Sequence, residues 1–311
     1  MHLRVISPHT STTEVLDLLR DHPAVANLVV HRDAAVDPEG DVVIADVARE
    51  SANDVVEELK KLGVHSTGSI ALDAVGVALS RGGARAEAAA PGEGGDAVVW
   101  DEIEQRTGEE SRLSAPFLLF LSIATVIAGI GVLLDQPILI VGAMVVGPEF
   151  GPLAALCVGA VRRRPVVIGR ALVALGVGFA VAIVVTVAST LLLDAAGLVS
   201  REMLLAPRPL TDFIWRPDAL SWVVGFLAGV AGMLSLTTAK SGALIGVLIS
   251  VTTVPAAGNV AVAIAYGVPE EAWGSALQLA INLAAIVTAG ILTLAVQRYL
   301  PRRRNRSAIH S

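Results

Sequence analysis

Met144–Val145–Val146–Gly147–Pro148–Glu149–Phe150–Gly151–Pro152 is an apolar run interrupted by two glycines, two prolines and one carboxylate. A helix cannot pass Pro148 with its hydrogen-bond ladder intact, because proline has no N–H and its ring collides with the preceding turn. The run lies inside a longer apolar segment, 137–160, close to the ~20 residues a helix needs to cross a hydrocarbon core. Glu149 is about 12 residues into it, or ~18 Å at 1.5 Å per residue. The break therefore falls near a membrane's midplane, where freed backbone groups must face protein or a wet cavity.

Five further apolar segments surround this one, at 115–134, 166–193, 219–238, 241–266 and 273–298. Composition agrees with a membrane protein. Of 311 residues, 54% are hydrophobic and 17% charged, and mean hydropathy is +0.67; soluble proteins carry about a quarter charged residues. Charge is also segregated: residues 1–114 hold 21 Asp and Glu against 10 Lys and Arg, and the remainder 8 against 13. Arg162, Arg163, Arg164 and Arg170 follow the second span, Lys240 the fourth, and Arg302, Arg303, Arg304 and Arg306 the last. The positive-inside rule then puts both termini in the cytoplasm of a cell (inner) membrane protein. No apolar stretch near Met1 reads as a cleavable signal. The single cysteine, Cys157, excludes a disulfide framework or paired-thiol metal site.

An internal similarity adds to this. Shifting the chain by 107 residues sets Pro148 on Pro255 and Gly151 on Gly258, and the first three spans on the last three. Three spans per copy turn the second copy upside down. Inverted repeats with matching Gly/Pro breaks point to a transporter's central site. Glu149 is the one ionisable residue in the middle of a span, and intramembrane carboxylates by default mark ion or proton pathways. Asn259, Gln278, Asn282, Thr252 and Thr253 are uncharged candidates for the same lining, though each is explained as well by an interhelical hydrogen bond. Gly147/Gly151, Gly225/Gly229 and Gly242/Gly246 are spaced for close helix packing. There is no His-Glu-x-x-His motif and no phosphate-binding loop, so an enzyme is not expected.

The first 80 residues alternate strand and helix patterns in the order βαββαβ, an α+β ferredoxin-like (ACT-like) domain. Strands are expected at 3–7, 28–30, 41–45 and within 69–79, and helices at 14–21 and from Ser51 to a stop at Gly63. The fold decides little about function. No Cys-x-x-Cys loop is present, and an acidic, aromatic-poor sheet excludes RNA binding. His9, His31 and His65 are candidates for a metal cluster, but scattered surface histidines explain them as well. Residues 81–96 are rich in Ala, Gly and charge and read as a flexible linker. Residues 97–114, with Trp100, read as an interfacial helix or as one packed on the soluble domain, and 300–311 as a basic tail.

These residues also carry a resemblance. Gly142–Ala143–Met144 followed by Gly147–Pro148 and Gly151–Pro152 resembles the bacterial hydrophobic-domain family known as domain of unknown function 389. So do the run ending at Gly258 and the late Ile281–Asn282–Leu283. The resemblance covers most of residues 100–300 and implies a membrane domain joined to a small soluble one. The family pattern has an apolar residue where Glu149 stands and a double proline where Pro255–Ala256 stands.

The resulting expectation is a secondary transporter or ion-conducting protein for a small solute or ion. Its pathway would run past Pro148, Glu149, Gly151, Pro255, Gly258, Asn259, Gln278 and Asn282, with Asn259 opposite Glu149. The cytoplasmic domain would regulate or assemble it, and the chain would form a homo-oligomer. The rival is a membrane-anchored sensor or scaffold whose soluble domain binds a ligand or partner. A polar, hydrated cavity at Glu149 and Asn259 favours the first; a dry apolar interface favours the second.

Overall fold

The computed structural model describes residues 1–75, 80–90, 98–238, 246–247 and 252–299. Lys240, Gly242, much of the fifth expected span and the basic tail lie outside them. Two compact units divide the chain, one built on Met1–Asp101 and the other beginning at Glu102.

The first unit contains β1 (His2–Ser7), α1 (Thr12–Asp21), β2 (Val25–Val36), β3 (Glu39–Val47), α2 (Ala52–Lys61), the one-turn α3 (Val64–Thr67) and β4 (Ser69–Asp73). The sheet is antiparallel in the order β2-β3-β1-β4, as the βαββαβ pattern predicts. Leu3 and Val5 of β1 point to the same face as Val43 and Val47 of β3. They pack there on Val15 and Leu19 of α1 and Val55 and Leu59 of α2. The period of two in the strands and the 3.6-residue stripe on each helix thus build one core. Gly63 takes φ 77°, the left-handed conformation that ends α2. β2 is 12 residues long, far beyond the expected 28–30. It pairs with β3 along most of its length through two irregularities that polar residues such as Asn27 and Asp33, both at positive φ, accommodate. Part of the expected linker is helical: α4 (Arg81–Ala89) is capped by the Ser80 hydroxyl, which accepts from the N–H groups of Gly82 and Gly83. Alanine's helix propensity and this cap outweigh the glycine content.

The second unit follows α5 (Trp100–Glu110) and contains α6 (Ala115–Leu133), α7 (Pro137–Val146), α8 (Phe150–Arg162), α9 (Pro165–Ala195), α10 (Arg201–Leu205), α11 (Ala219–Thr237), α12 (Thr253–Ala265) and α13 (Pro269–Tyr299). Four helices, α6, α9, α11 and α13, are long and apolar enough to cross a membrane. The α7–α8 pair passes the same test as one element bent by 52°. Where six spans were expected, the second and fifth of them broken at Pro148 and Pro255, the described residues hold four, one bent pair and the short apolar α12. At 1.5 Å per residue the 31-residue α9 and α13 are ~46 Å long, more than a ~30 Å core requires. Their outer faces stay apolar, with Val184 and Leu192 of α9 exposed, as expected of surface that meets lipid rather than water. Inside, α6 packs on α7 and α9, α8 on α9 and α13, and α12 on α13, α9 and α6.

Candidate functional site

The break in the second span is real and is built as the sequence dictates. α7 stops at Val146, Gly147 adopts an extended conformation, and Glu149 stands at the N-cap position of α8 without a side-chain capping hydrogen bond. Pro152 sits in the first turn of α8, where a missing N–H costs nothing. Glu149 is 5% exposed. Its Oε1 accepts a 2.7 Å hydrogen bond from Thr253 Oγ1, while Oε2 is buried with no hydrogen-bond partner among the described residues. Thr253 opens α12, so the N-termini of two 13-residue helices meet at one carboxylate. Both helix dipoles present their positive ends there.

The polar groups continue along α12 and α13. Thr252 Oγ1 accepts from Asn282 Nδ2 at 2.7 Å and from Gln278 Nε2 at 3.3 Å. Asn259 Nδ2 donates to Ser275 Oγ at 2.7 Å and to Glu271 Oε2 at 3.5 Å. The same Glu271 oxygen accepts from Arg208 Nη2 at 2.6 Å, and Arg208 is only 3% exposed. Glu271, Ser275, Gln278 and Asn282 are spaced by four, three and four, which puts them on one face of α13. That face runs ~16 Å along the helix. Asn259 Oδ1, Gln278 Oε1 and the Nε and Nη1 of Arg208 are buried with no hydrogen-bond partner among the described residues.

The space around Glu149 is small. A cavity of about 10 Å³, lined by Glu149, Phe150, Leu153, Ala228, Val247, Thr253 and Ile286, has room for about one water. The carboxylate therefore sits in a mostly apolar pocket, next to a polar helix face rather than in a wide aqueous passage.

The sequence-derived candidates divide accordingly. Glu149, Asn259, Gln278 and Asn282 are all buried along this path, but Asn259 does not face Glu149. It lies six residues into α12 beyond Thr253 and bonds Ser275. Pro148 makes the break. Pro255 does not: it lies in the first turn of α12, where proline is tolerated. Gly258 is a packing position, since a Cβ there would come within 2.9 Å of Gly129 N and 3.0 Å of Thr125 O on α6. Gly151 abuts Glu110 of α5, and Gly225 and Gly229 receive Ala285 and Ala289 of α13. Arg208, Glu271 and Ser275 were not foreseen. Pro269 as the first helical residue was the available signal, because starting α13 there brings Glu271 and Ser275 onto the stripe of Gln278 and Asn282.

In the first unit His9 gathers with neither His31 nor His65. It faces Asp33 and Asp41, the one trio among the described residues close enough to share an ion. Asp41 is already engaged, accepting from Asp33 N at 2.9 Å and Arg32 Nη1 at 2.8 Å. The Asp33 N–H above all, then Thr12 and Arg32, holds its carboxyl down at about 2 against the opposing effect of burial. The arrangement explains itself as an anchor for the β2–β3 hairpin.

Residues 144–288 match the family described as "Domain of unknown function (DUF389)". No curated protein and no solved structure matches the chain.

Proposed function

We propose that this protein, a member of the DUF389 family through residues 144–288, is a cation- or proton-coupled secondary transporter or ion-conducting protein. The observation that carries the reading is Glu149, a buried carboxylate at a broken helix with one oxygen unpartnered. An anchor has no use for a carboxyl there. Holding one costs several kcal/mol unless it does chemistry or is fully bonded. A protein that loads and releases a cation needs such an oxygen, one that the protein itself leaves without a hydrogen bond.

An internal duplication supports the reading, in a register three residues from the one the prolines suggest. α6 and α11 are both 19 residues long and α9 and α13 both 31, and each second helix begins 104 positions after the first. The buried positions of α9 at Ala171, Ala174, Gly178, Ala182, Thr186 and Thr190 correspond, at the same shift, to Ser275, Gln278, Asn282, Ile286, Gly290 and Leu294 of α13. The contacts also exchange. Gly129 of α6 meets Thr186 and Val262, and Gly290 of α13 meets Met233 and Cys157. Each short helix thus packs into the other half, as in folds whose two copies close around a shared site. With three crossings per half the copies are inverted. The cluster of Arg162, Arg163 and Arg164 supports, by the positive-inside rule, a cytoplasmic side for both termini.

Purified protein in proteoliposomes tests the claim through flux of protons or sodium driven by a set membrane potential. Glu149→Gln keeps shape but removes the ionisable oxygen, and coupled flux should fall at least about tenfold. Unchanged flux would refute the coupling role. The dry lining of the Glu149 cavity favours the second reading, a membrane-anchored sensor or scaffold. Absence of any flux from well-folded wild-type protein would leave that reading standing.

A further inference from the structure

We propose that two segments, one preceding each half, are gates that close opposite ends of the pathway and are held by ion pairs of reversed polarity. The inference rests on the transport reading for its purpose, but not for its geometry.

The first gate is the 102–110 part of α5. Glu104 Oε2 lies 3.2 Å from Arg162 Nε and Oε1 lies 3.1 Å from Arg164 Nε, so the segment is tied to the turn between α8 and α9. At its end Glu110 rests on Gly151, with the glutamate backbone oxygen 3.2 Å from where a Cβ would stand. It therefore lies over the N-terminus of α8, beside Glu149.

The second gate is the segment 206–216, ahead of α11. Arg208 is tied to Glu271 at the start of α13 by the buried 2.6 Å pair. Thr211 Oγ1 donates to Asp135 Oδ1 at 2.9 Å, pinning the segment to the α6–α7 turn. Ile214 is fully buried among Val132, Ile140, Met144, Ala256 and Leu279. Ala256 is in the first turn of α12 and Leu279 follows Gln278, so Ile214 covers the polar stripe beside the N-terminus of α12, while the Arg208–Glu271 pair holds the stripe's first residue. The Trp215 carbonyl lies so close on Gly274 that no side chain fits between them.

The two segments correspond at the shift that relates the helices. Glu104 falls on Arg208 and Glu110 on Ile214, 104 positions apart. In one gate the cover is acidic and the body basic; in the other the signs are exchanged. Three crossing elements, α6, the bent α7–α8 pair and α9, separate the two, which puts them on opposite faces. With both closed, Thr253 and Glu149 are buried, and a cavity the size of one water is what an occluded state leaves. The latches are not equal. Arg208 and Glu271 are almost wholly buried, whereas Arg164 is 56% exposed, so salt should loosen the first gate and leave the second unaffected.

Site-specific thiol labelling tests the proposal on the full chain in sealed vesicles. Thr253→Cys in a Cys157→Ser background reports exposure of the site to a membrane-impermeant maleimide applied from either face. The parent should label slowly from both. Glu271→Gln should raise the rate at least about tenfold from the face opposite the N-terminus alone, and Glu104→Gln should do so from the N-terminal face alone. Exchanging the charges, Arg208→Glu with Glu271→Arg, should restore protection, which a merely misfolded variant would not show. Equal labelling from both faces, labelling from the wrong face, or no change in either variant overturns the gates. Because labelling needs no substrate, absent flux with side-selective labelling would refute transport and leave the gates in place.

Discussion

Gly274→Ala is the sharpest test of how the segment 206–216 is seated. A methyl group at Gly274 would fall inside the contact distance of the Trp215 carbonyl oxygen and within 3.2 Å of its carbon. Carbon atoms settle at about 3.5–4.0 Å, so the carbonyl must retreat by an ångström or so. Overpacking of this kind costs about 1–3 kcal/mol. It bears on the closed state only, because an open segment has left the glycine. A 1–3 kcal/mol bias corresponds to about a 5- to 150-fold change in the closed-to-open ratio. Alanine also stabilises a helix interior by about 1 kcal/mol relative to glycine, which acts on both states and cancels. Gly142→Ala supplies the control, as nothing lies within 4 Å of its Cβ position. Labelling of Thr253→Cys from the face opposite the N-terminus should rise in the Gly274 variant and stay level in the Gly142 variant. Equal rates in the two, with equal melting temperatures, would mean that Trp215 does not rest on Gly274.

Three other outcomes follow from the same contacts. Thr252→Val removes the acceptor shared by Gln278 and Asn282. It should lower stability in detergent by about 1–3 kcal/mol for each donor stranded, while Thr252→Ser should cost little by thermal melt. Gly258→Leu drives a side chain into Gly129 and Thr125 of α6 and should abolish a monodisperse peak on size-exclusion chromatography, whereas Gly246→Leu should be tolerated. Asp41 titrates at about 2 in the folded domain against an ordinary 3.8, so its stabilisation is complete above pH 4 and is lost as pH falls from about 4 toward 2. Hydrogen exchange of the β3 peptide in the full chain should accelerate across that window in the parent, and be fast and nearly pH-independent of this group in Asp41→Asn.

What could be read from the chain depended on how local the determinants are. The fold of the first unit follows from alternating strands, amphipathic helices and Gly63, each decided within a few residues, while the reach of β2, the one-turn α3 and the helix α4 escaped. β2 is extended by pairing to β3, and α4 by the Ser80 cap and its packing on β2; hydrophobic period reports neither. Pro148 and Glu149 announced the break because proline acts on its own helix. Pro255 misled for the complementary reason, since a proline's effect depends on its distance from the helix start, and α12 begins two residues before it. Arg208 was illegible because it sits in a loop among acidic residues, and only folding brings it to Glu271, 63 positions away.

The duplication proposed above bears on why the chemistry is one-sided. Where α13 carries Ser275, Gln278 and Asn282, α9 carries Ala171, Ala174 and Gly178. Where α6 presents Leu121 to Gly178, α11 presents Gly225 to Asn282. Bulk and polarity have thus changed together: a large side chain on the shorter helix faces glycine in one half, and glycine faces a carboxamide in the other. The helix starts differ too: at the same shift Glu149 falls on Thr253, its hydrogen-bond partner. A symmetric pair of carboxylates at the meeting of α8 and α12 would repel across a few ångströms of low dielectric. One carboxylate opposite a threonine avoids that and leaves a single titratable group, with the uncharged polar residues carried by α12 and α13 rather than by α9. Under the proposed duplication, the physical requirement for one charge in a mostly apolar site accounts for two halves that differ in chemistry while their long helices are equal in length.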